Sequence, residues 1–211
     1  MARTAMAATR RALGLAVLLA VVLGAPAAAR AGAPTDQLRR YTDRVIQILQ
    51  SPQLTPAERR VQVREVALQV FDVSETARRS LGPHWQQRTP AEREEFVNLF
   101  RDLLDQTYVS RIDEYGGERV QYVGERIDGD AATVRAQIVT KAGTTVPVES
   151  RLTLKGGQWL VYDILIENVS LVGNYRSQFD RVIRTSSYEE LVKRLRERVA
   201  QLGDKAAKSS R

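Results

Sequence analysis

The chain has 211 residues, 43% hydrophobic and 27% charged, with a formal net charge of +7, one histidine and no cysteine. Without Cys there are no disulfides and no thiol nucleophile, and a single His leaves neither a His-based zinc cluster nor a choice of triad base. The length beyond an export segment, about 180 residues, fits one domain whose single core must hold the fold alone.

Residues 1–31 read as a secretory signal peptide: Arg3, Arg10 and Arg11 precede an uncharged run from Leu13 to Ala25, followed by Ala27-Ala28-Ala29. Small-x-small spacing places cleavage after Ala29 or Ala31. The apolar run is too short to span a membrane, and no Cys follows it to carry a lipid anchor. Removing this segment lowers the formal charge to +4, or +3 if Arg30 is also lost. A mildly basic exported chain suits a solvated Arg-rich surface or contact with anionic headgroups, and nucleic acid is not an expected partner.

A helix is predicted from Thr35 to Gln50, with Leu38, Tyr41, Val45, Ile48 and Leu49 on one side and Thr35 or Asp36 as cap, stopped by Ser51-Pro52. Thr55-Pro56-Ala57-Glu58 is a capping box that starts a second helix burying Val63, Val66, Ala67 and Val70. A short helix, Ser74 to Leu81, ends at Gly82-Pro83. The same start recurs at Thr89-Pro90-Ala91-Glu92. It opens the most regular helical pattern, Phe96, Leu99, Phe100, Leu103, Leu104, Thr107 and Tyr108, which extends to about Asp113.

From Glu118 the period becomes two. Four strands are predicted as an antiparallel meander: Val120 to Ile127; Ala132 to Ile138 after the Asp128-Gly129-Asp130 turn; Val146 to Leu154, with Pro147 marking an edge or bulge; and Trp159 to Ile166 after Gly156-Gly157. In the last of these Leu160, Tyr162, Ile164 and Ile166 form the expected core face, and Asp163 points away from it. Ser170 caps a helix carrying Leu171, Val172, Tyr175, Phe179, Val182 and Ile183. Ser187-x-x-Glu190 opens a final helix to Leu202-Gly203, and residues 204–211 are expected to be disordered. Helices followed by a meander make an α+β fold, the sheet burying one face against the helices.

Reactive chemistry is sparse. His84 sits just after a helix stop, no Gly-rich phosphate loop or metal-ligand spacing is present, and Asp102/Asp105 and Asp128/Asp130 fall on a helix surface and a turn. A binding module fits better than an enzyme, although apolar faces look alike whether the interior they enclose is full or hollow.

The run from Trp159 to Phe179, WLVYDILIENVSLVGNYRSQF, resembles the signature of the MlaC family of periplasmic phospholipid-binding, or toluene-tolerance, proteins. Leu81-Gly82 with Trp85, the Thr89 helix start with Phe96 and Phe100, Thr107-Tyr108 and Tyr115-Gly116-Gly117-Glu118 extend the resemblance over most of the mature chain. Where that family most often has Glu-Gly-Val-Ser, Glu167-Asn168-Val169-Ser170 stands here. Asn tolerates positive φ, so the turn need not be lost.

The resemblance implies helices on a strongly bent antiparallel sheet, NTF2-like, enclosing an apolar pocket within residues 32–203. It further implies a soluble periplasmic carrier that moves phospholipid between an outer-membrane lipoprotein complex and an inner-membrane ABC transporter, maintaining outer-membrane lipid asymmetry without a cofactor or metal. Expected pocket residues are Phe96, Phe100, Leu103 and Leu104 of the long helix; Val134, Ile138, Val148, Leu152, Tyr162, Ile164 and Ile166 of the sheet; and Val169, Leu171 and Tyr175 at the strand-helix junction. Arg176 is expected to meet a headgroup phosphate or to pair with Asp163 or Glu167. A carrier of a hopanoid or sterol-like ligand and a small-molecule enzyme on the same architecture are the alternatives.

Overall fold

The computed structural model describes residues 33–209, so the expected signal peptide and both its cleavage points lie outside the described residues. Helix α1 (Pro34–Gln50) starts one turn-fraction earlier than expected, with Ala33 as cap, because Pro34 is preset for the first helical position. Thr35 instead donates its backbone N–H to Glu125 Oε2 at 2.7 Å. Helix α2 (Pro56–Val70) and helix α4 (Pro90–Tyr108) open on complete capping boxes: Thr55 Oγ1 accepts from Glu58 N and Thr89 Oγ1 from Glu92 N, each at 3.3 Å, while each Glu accepts from the Thr backbone. Helix α3 (Val73–Leu81) is capped by Asp72, ahead of the expected start.

Helix α3 gives way to a 3-10 turn at Gly82, whose φ of 60° suits glycine alone. Helix α4 ends at Tyr108, short of Asp113, and tightens into a 3-10 segment, Val109–Glu114. Helix α5 (Leu171–Thr185) is capped by Ser170, which accepts from Gly173 N at 2.8 Å. Helix α6 (Tyr188–Ser209) runs through Gly203 into the segment expected to be disordered. One Gly costs about 1 kcal/mol in a helix, and Lys205, Ala206, Ala207 and Lys208 beyond it are strong helix formers.

Five strands, not four, make one open antiparallel sheet in sequence order: β1 (Arg119–Asp128), β2 (Ala131–Val139), β3 (Thr145–Lys155), β4 (Gln158–Ile166) and β5 (Val169–Ser170). The unforeseen fifth is a two-residue hairpin partner made by Glu167 and Asn168, which both take positive φ, 50° and 66°. This is the geometry of a tight hairpin turn. Pro147, on β3, lies beyond the last β4 pairing, and its carbonyl accepts from Glu167 N at 3.1 Å.

Strand β4 does not keep the alternation expected of it. Its pairing with β3 jumps from Arg151↔Asp163 to Leu152↔Val161, leaving Tyr162 as the extra residue of a β-bulge. The bulge shifts the phase, so Trp159 and Val161 share a face with Ile164 and Ile166. Trp159, Val161 and Asp163 are the buried residues, and the simple even-face reading fails. Asp163 is 3% exposed and serves the start of α5: it accepts from Ser170 Oγ at 2.7 Å and from Val172 N at 3.0 Å.

The free edge of β4 is sealed by side chains and backbone from the helices. The buried Gln37 amide donates to Trp159 O at 2.6 Å and accepts from Trp159 N at 3.1 Å, imitating a neighbouring strand. Asp72 N donates to Val161 O at 2.9 Å and Thr76 Oγ1 to Tyr162 O at 3.0 Å. These bonds hold the α2–α3 junction against β4.

An aromatic cluster fills the interior between α3, α4, α5 and α6: Phe96, Phe100 and Phe179 with Leu81, Leu103, Leu191 and Leu195. Phe96 and Phe100 stack at 5.9 Å, and Phe179 meets both edge-on. A separate apolar cluster ties α1 to α2 through Ile48, Val63 and Val66, with Val109 and Ile112 of the 3-10 segment packed against it.

Candidate functional site

Between these two clusters lies a cavity of about 740 Å³, within the roughly 300–1,000 Å³ usual for ligand pockets. Its walls follow from helix periodicity. On α2 the stripe Val63, Val66, Val70 is buried, so Ala67 and Leu68, next along the chain to Val66, turn to the cavity. On α4, Phe96, Phe100 and Leu103 face the aromatic cluster, while the neighbouring row Arg101, Leu104, Asp105 and Tyr108 faces the cavity. Phe71, Val73 and Thr76 of the α2–α3 junction also line it. Tyr162, Ile164, Ile166, Val169 and Leu171 line the sheet side, with Ser170 and Asn174 at the helix start.

Four side chains of this lining are apolar and yet open to solvent: Leu68 (52% exposed), Tyr108 (49%), Ile166 (48%) and Val169 (63%). Exposed apolar side chains gathered around one cavity are the pattern expected where an apolar ligand or partner docks. Charge is confined to Arg64, Arg101, Asp102 and Asp105 of α2 and α4 and to the buried Asp163. Arg64 and Asp105 join the two helices by a bidentate pair, Nε to Oδ1 and Nη2 to Oδ2, both 2.6 Å. That hydrogen bonding raises the Arg64 pKa further. Arg101 Nε is 3.5 Å from Asp102 Oδ1, and both side chains are about half exposed.

The expected pocket residues divide between the cavity and the closed cores, and Leu104 touches both. Leu104, Tyr162, Ile164, Ile166, Val169 and Leu171 line the cavity, as does Asp163. Phe96, Phe100 and Leu103 lie instead in the closed aromatic cluster, where Tyr175 meets Phe100 edge-on at 5.0 Å. Burial, with Tyr108 beside it, pushes the Tyr175 hydroxyl up to about 12. Val134 and Leu152 are buried within the sheet, and Ile138 and Val148 sit half-buried on the same face, all four outside the cavity lining.

Arg176 pairs with neither Asp163 nor Glu167. Its Nε donates to Arg79 O at 2.9 Å and its side chain covers Gly82, where added bulk would meet it at 3.4 Å. Asp163 has Ser170, Val172 N and, at 3.6 Å, Arg151 Nη1. Glu167 occupies the β4–β5 turn.

Sequence reasoning missed Arg64, Ala67, Leu68, Phe71, Val73, Thr76, Arg101, Asp102, Asp105, Tyr108, Val109, Ser170 and Asn174 as lining. One signal was available: Leu68 is an apolar residue off the buried stripe of its helix. His84 lies outside the cavity, its Nε2 2.8 Å from Asp180 Oδ1, and that hydrogen bond leads the causes that hold Asp180 below its ordinary value. The titratable groups of the lining are thus salt-bridged, helix-capping or phenolic, and no base stands opposite a nucleophile. No helix among the described residues is long and apolar enough to cross a membrane.

Comparisons with known proteins agree with this architecture. The intermembrane phospholipid transport system binding protein MlaC of Haemophilus influenzae is 21% identical over 144 residues, 66% of this chain and 67% of that protein. The toluene tolerance protein ttg2D of Pseudomonas putida is 26% identical over 92 residues, 43% of each chain. The structure of a phospholipid-binding protein from Ralstonia solanacearum, solved in complex with a phospholipid, superposes with a TM-score of 0.71 at 26% identity, covering 82% of this chain and 99% of that one. A family model described as MlaC protein matches residues 39–197, most of the described chain, and the chain therefore belongs to the MlaC family.

Proposed function

We propose that this protein is a periplasmic phospholipid carrier, holding acyl chains in the cavity between α2, α4 and β4 with the headgroup at its mouth. The observation that carries the reading is the apolar cavity of about 740 Å³ ringed by four exposed apolar side chains, Leu68, Tyr108, Ile166 and Val169. An interior of this kind offers acyl chains an environment near that of a bilayer. At about 0.8 kcal/mol per methylene, two chains of about sixteen carbons resist entering water by on the order of 25 kcal/mol, so a lipid crosses an aqueous space only inside such a shelter. Family membership and the phospholipid bound by the Ralstonia solanacearum relative support the same ligand.

Binding, not catalysis, is the proposed role, and loading and unloading proceed by docking to an inner-membrane ABC transporter complex and an outer-membrane lipoprotein complex. An export segment at residues 1–31 delivers the chain. Organic extraction of the purified protein, with native mass spectrometry for stoichiometry, tests the ligand. About one phospholipid per chain is expected. A protein that is empty, and that takes up no lipid from vesicles, overturns the carrier reading.

A further inference from the structure

The mouth of the cavity carries charges of both signs, and their arrangement assigns a headgroup class. We propose that Arg101 and Asp102 together read a zwitterionic, amine-bearing phospholipid headgroup, Arg101 taking the phosphate and Asp102 the ammonium. The inference rests on the carrier reading and adds to it the identity of the cargo.

A phosphate at this cavity has four sources of positive potential in the lining: Arg64, Arg101 and the N-termini of α3 and α5. The α3 terminus is capped by the Asp72 carboxylate, which accepts from Glu75 N. The α5 terminus is already engaged by protein oxygens, since Val172 N donates to Asp163 Oδ1 and Gly173 N to Ser170 Oγ. A second anion there would face the buried Asp163 carboxylate. Arg64 commits its Nε and Nη2 to Asp105 at 2.6 Å each, and Asp105 is mostly buried. Arg101 makes a loose contact, 3.5 Å, with the adjacent Asp102, and its side chain is 46% exposed. A guanidinium of that kind is suited to taking phosphate oxygens in pairs.

Position agrees with charge. Arg101, Leu104, Asp105 and Tyr108 stand at i, i+3, i+4 and i+7, one row along α4. Acyl chains lying along Leu104 and Tyr108 therefore bring a glycerol-linked phosphate to one end of the row, where Arg101 stands. The Asp102 carboxylate sits beside that guanidinium, and an ammonium two carbons from the phosphate reaches it without leaving the mouth. The four mouth charges cancel, Arg64 and Arg101 against Asp102 and Asp105. A mouth built to capture net-negative headgroups would carry surplus cations.

The test is competitive loading. The purified protein and the variants Arg101→Ala and Asp102→Lys are incubated with vesicles containing equal amounts of phosphatidylethanolamine, phosphatidylglycerol and diacylglycerol of identical acyl chains, and bound lipid is extracted and quantified. A preference of about three- to fivefold for phosphatidylethanolamine is expected, the scale of a half-exposed charge pair. Asp102→Lys should reverse it toward phosphatidylglycerol, and Arg101→Ala should let diacylglycerol compete equally with both phospholipids. Equal loading of all three lipids by the unmodified protein overturns the headgroup assignment and leaves the carrier reading standing. Loading of none overturns both. Since both side chains project from an exposed helix surface, circular dichroism and melting temperature should match the unmodified protein, and a change in selectivity then reports the mouth alone.

Discussion

Ala67 offers the sharpest test of the cavity. It lies on α2, half-buried, with its methyl in the lining and its neighbours Arg64 and Leu68 in the same wall. Replacing it with Trp projects an indole into space that acyl chain would occupy. A Trp side chain buries at least about 150 Å², and denying that area to the ligand at about 25 cal/mol/Å² costs close to 4 kcal/mol. That is on the order of a thousandfold in affinity. Folding should not suffer, because the indole enters a void and not a filled core, unlike overpacking substitutions elsewhere. The assay is the amount of phospholipid retained per chain after purification, together with the urea midpoint of Ala67→Trp. Val61→Trp on the same helix serves as control: Val61 is 49% exposed and lies outside the lining, so lipid content should be unchanged. Full retention of lipid by Ala67→Trp would show that the ligand does not occupy this cavity.

Phe100→Ala should act in the opposite way, lowering stability by about 3–5 kcal/mol through loss of a fully buried ring while leaving lipid content per folded chain intact, as urea melts and extraction will show. Asp163→Asn should cost about 1–3 kcal/mol by weakening the bonds at the start of α5, read as a lower denaturation midpoint with the far-UV spectrum preserved. Arg78, hydrogen-bonded to Glu75 alongside Arg79, holds that carboxylate down at about 2 from an ordinary 4.5. Its contribution to stability is present above about pH 4.5 and lost as pH falls toward 2. Glu75→Gln should flatten that part of the acid limb in melting curves taken from pH 6 to 2, and an unchanged slope would show the pair to be inert. Asn168→Val places a β-branched residue at a φ of 66°, which should cost about 1–2 kcal/mol and loosen the Ile166–Val169 hairpin, measured as faster amide exchange there.

Capping chemistry was the most legible part of the chain. Thr55 and Thr89 each bring a Pro and a Glu in fixed order, and each box forms as the residues imply, because all its partners lie within four residues. The cavity was legible only in part. An apolar stripe on a helix states that a face is covered, not by what: Phe100 and Leu104 look equivalent in the α4 pattern, yet the net rotation of about 40° between residues four apart leaves one inside the aromatic cluster and brings the other to the cavity wall. The Tyr162 bulge hid the true phase of β4, since an extra residue in a ladder leaves no mark in local composition. Asp102 and Asp105 read as helix surface, and only the tertiary approach of α2 to α4 makes them, with Arg64 and Arg101, the rim of a site.

Much of the cavity wall lies outside the two apolar clusters, which has a consequence for how such a protein can change over generations. Ala67, Leu68, Ile164 and Val169 border empty space, so exchanging them removes few packing contacts. The Phe96–Phe100–Phe179 cluster and the α1–α2 cluster, which do hold the chain together, are left untouched. A fold sits only a few kcal/mol above its stability threshold, and most proteins must weigh each new binding contour against that margin. Here the wall can be reshaped for a longer, shorter or differently branched cargo almost independently of folding.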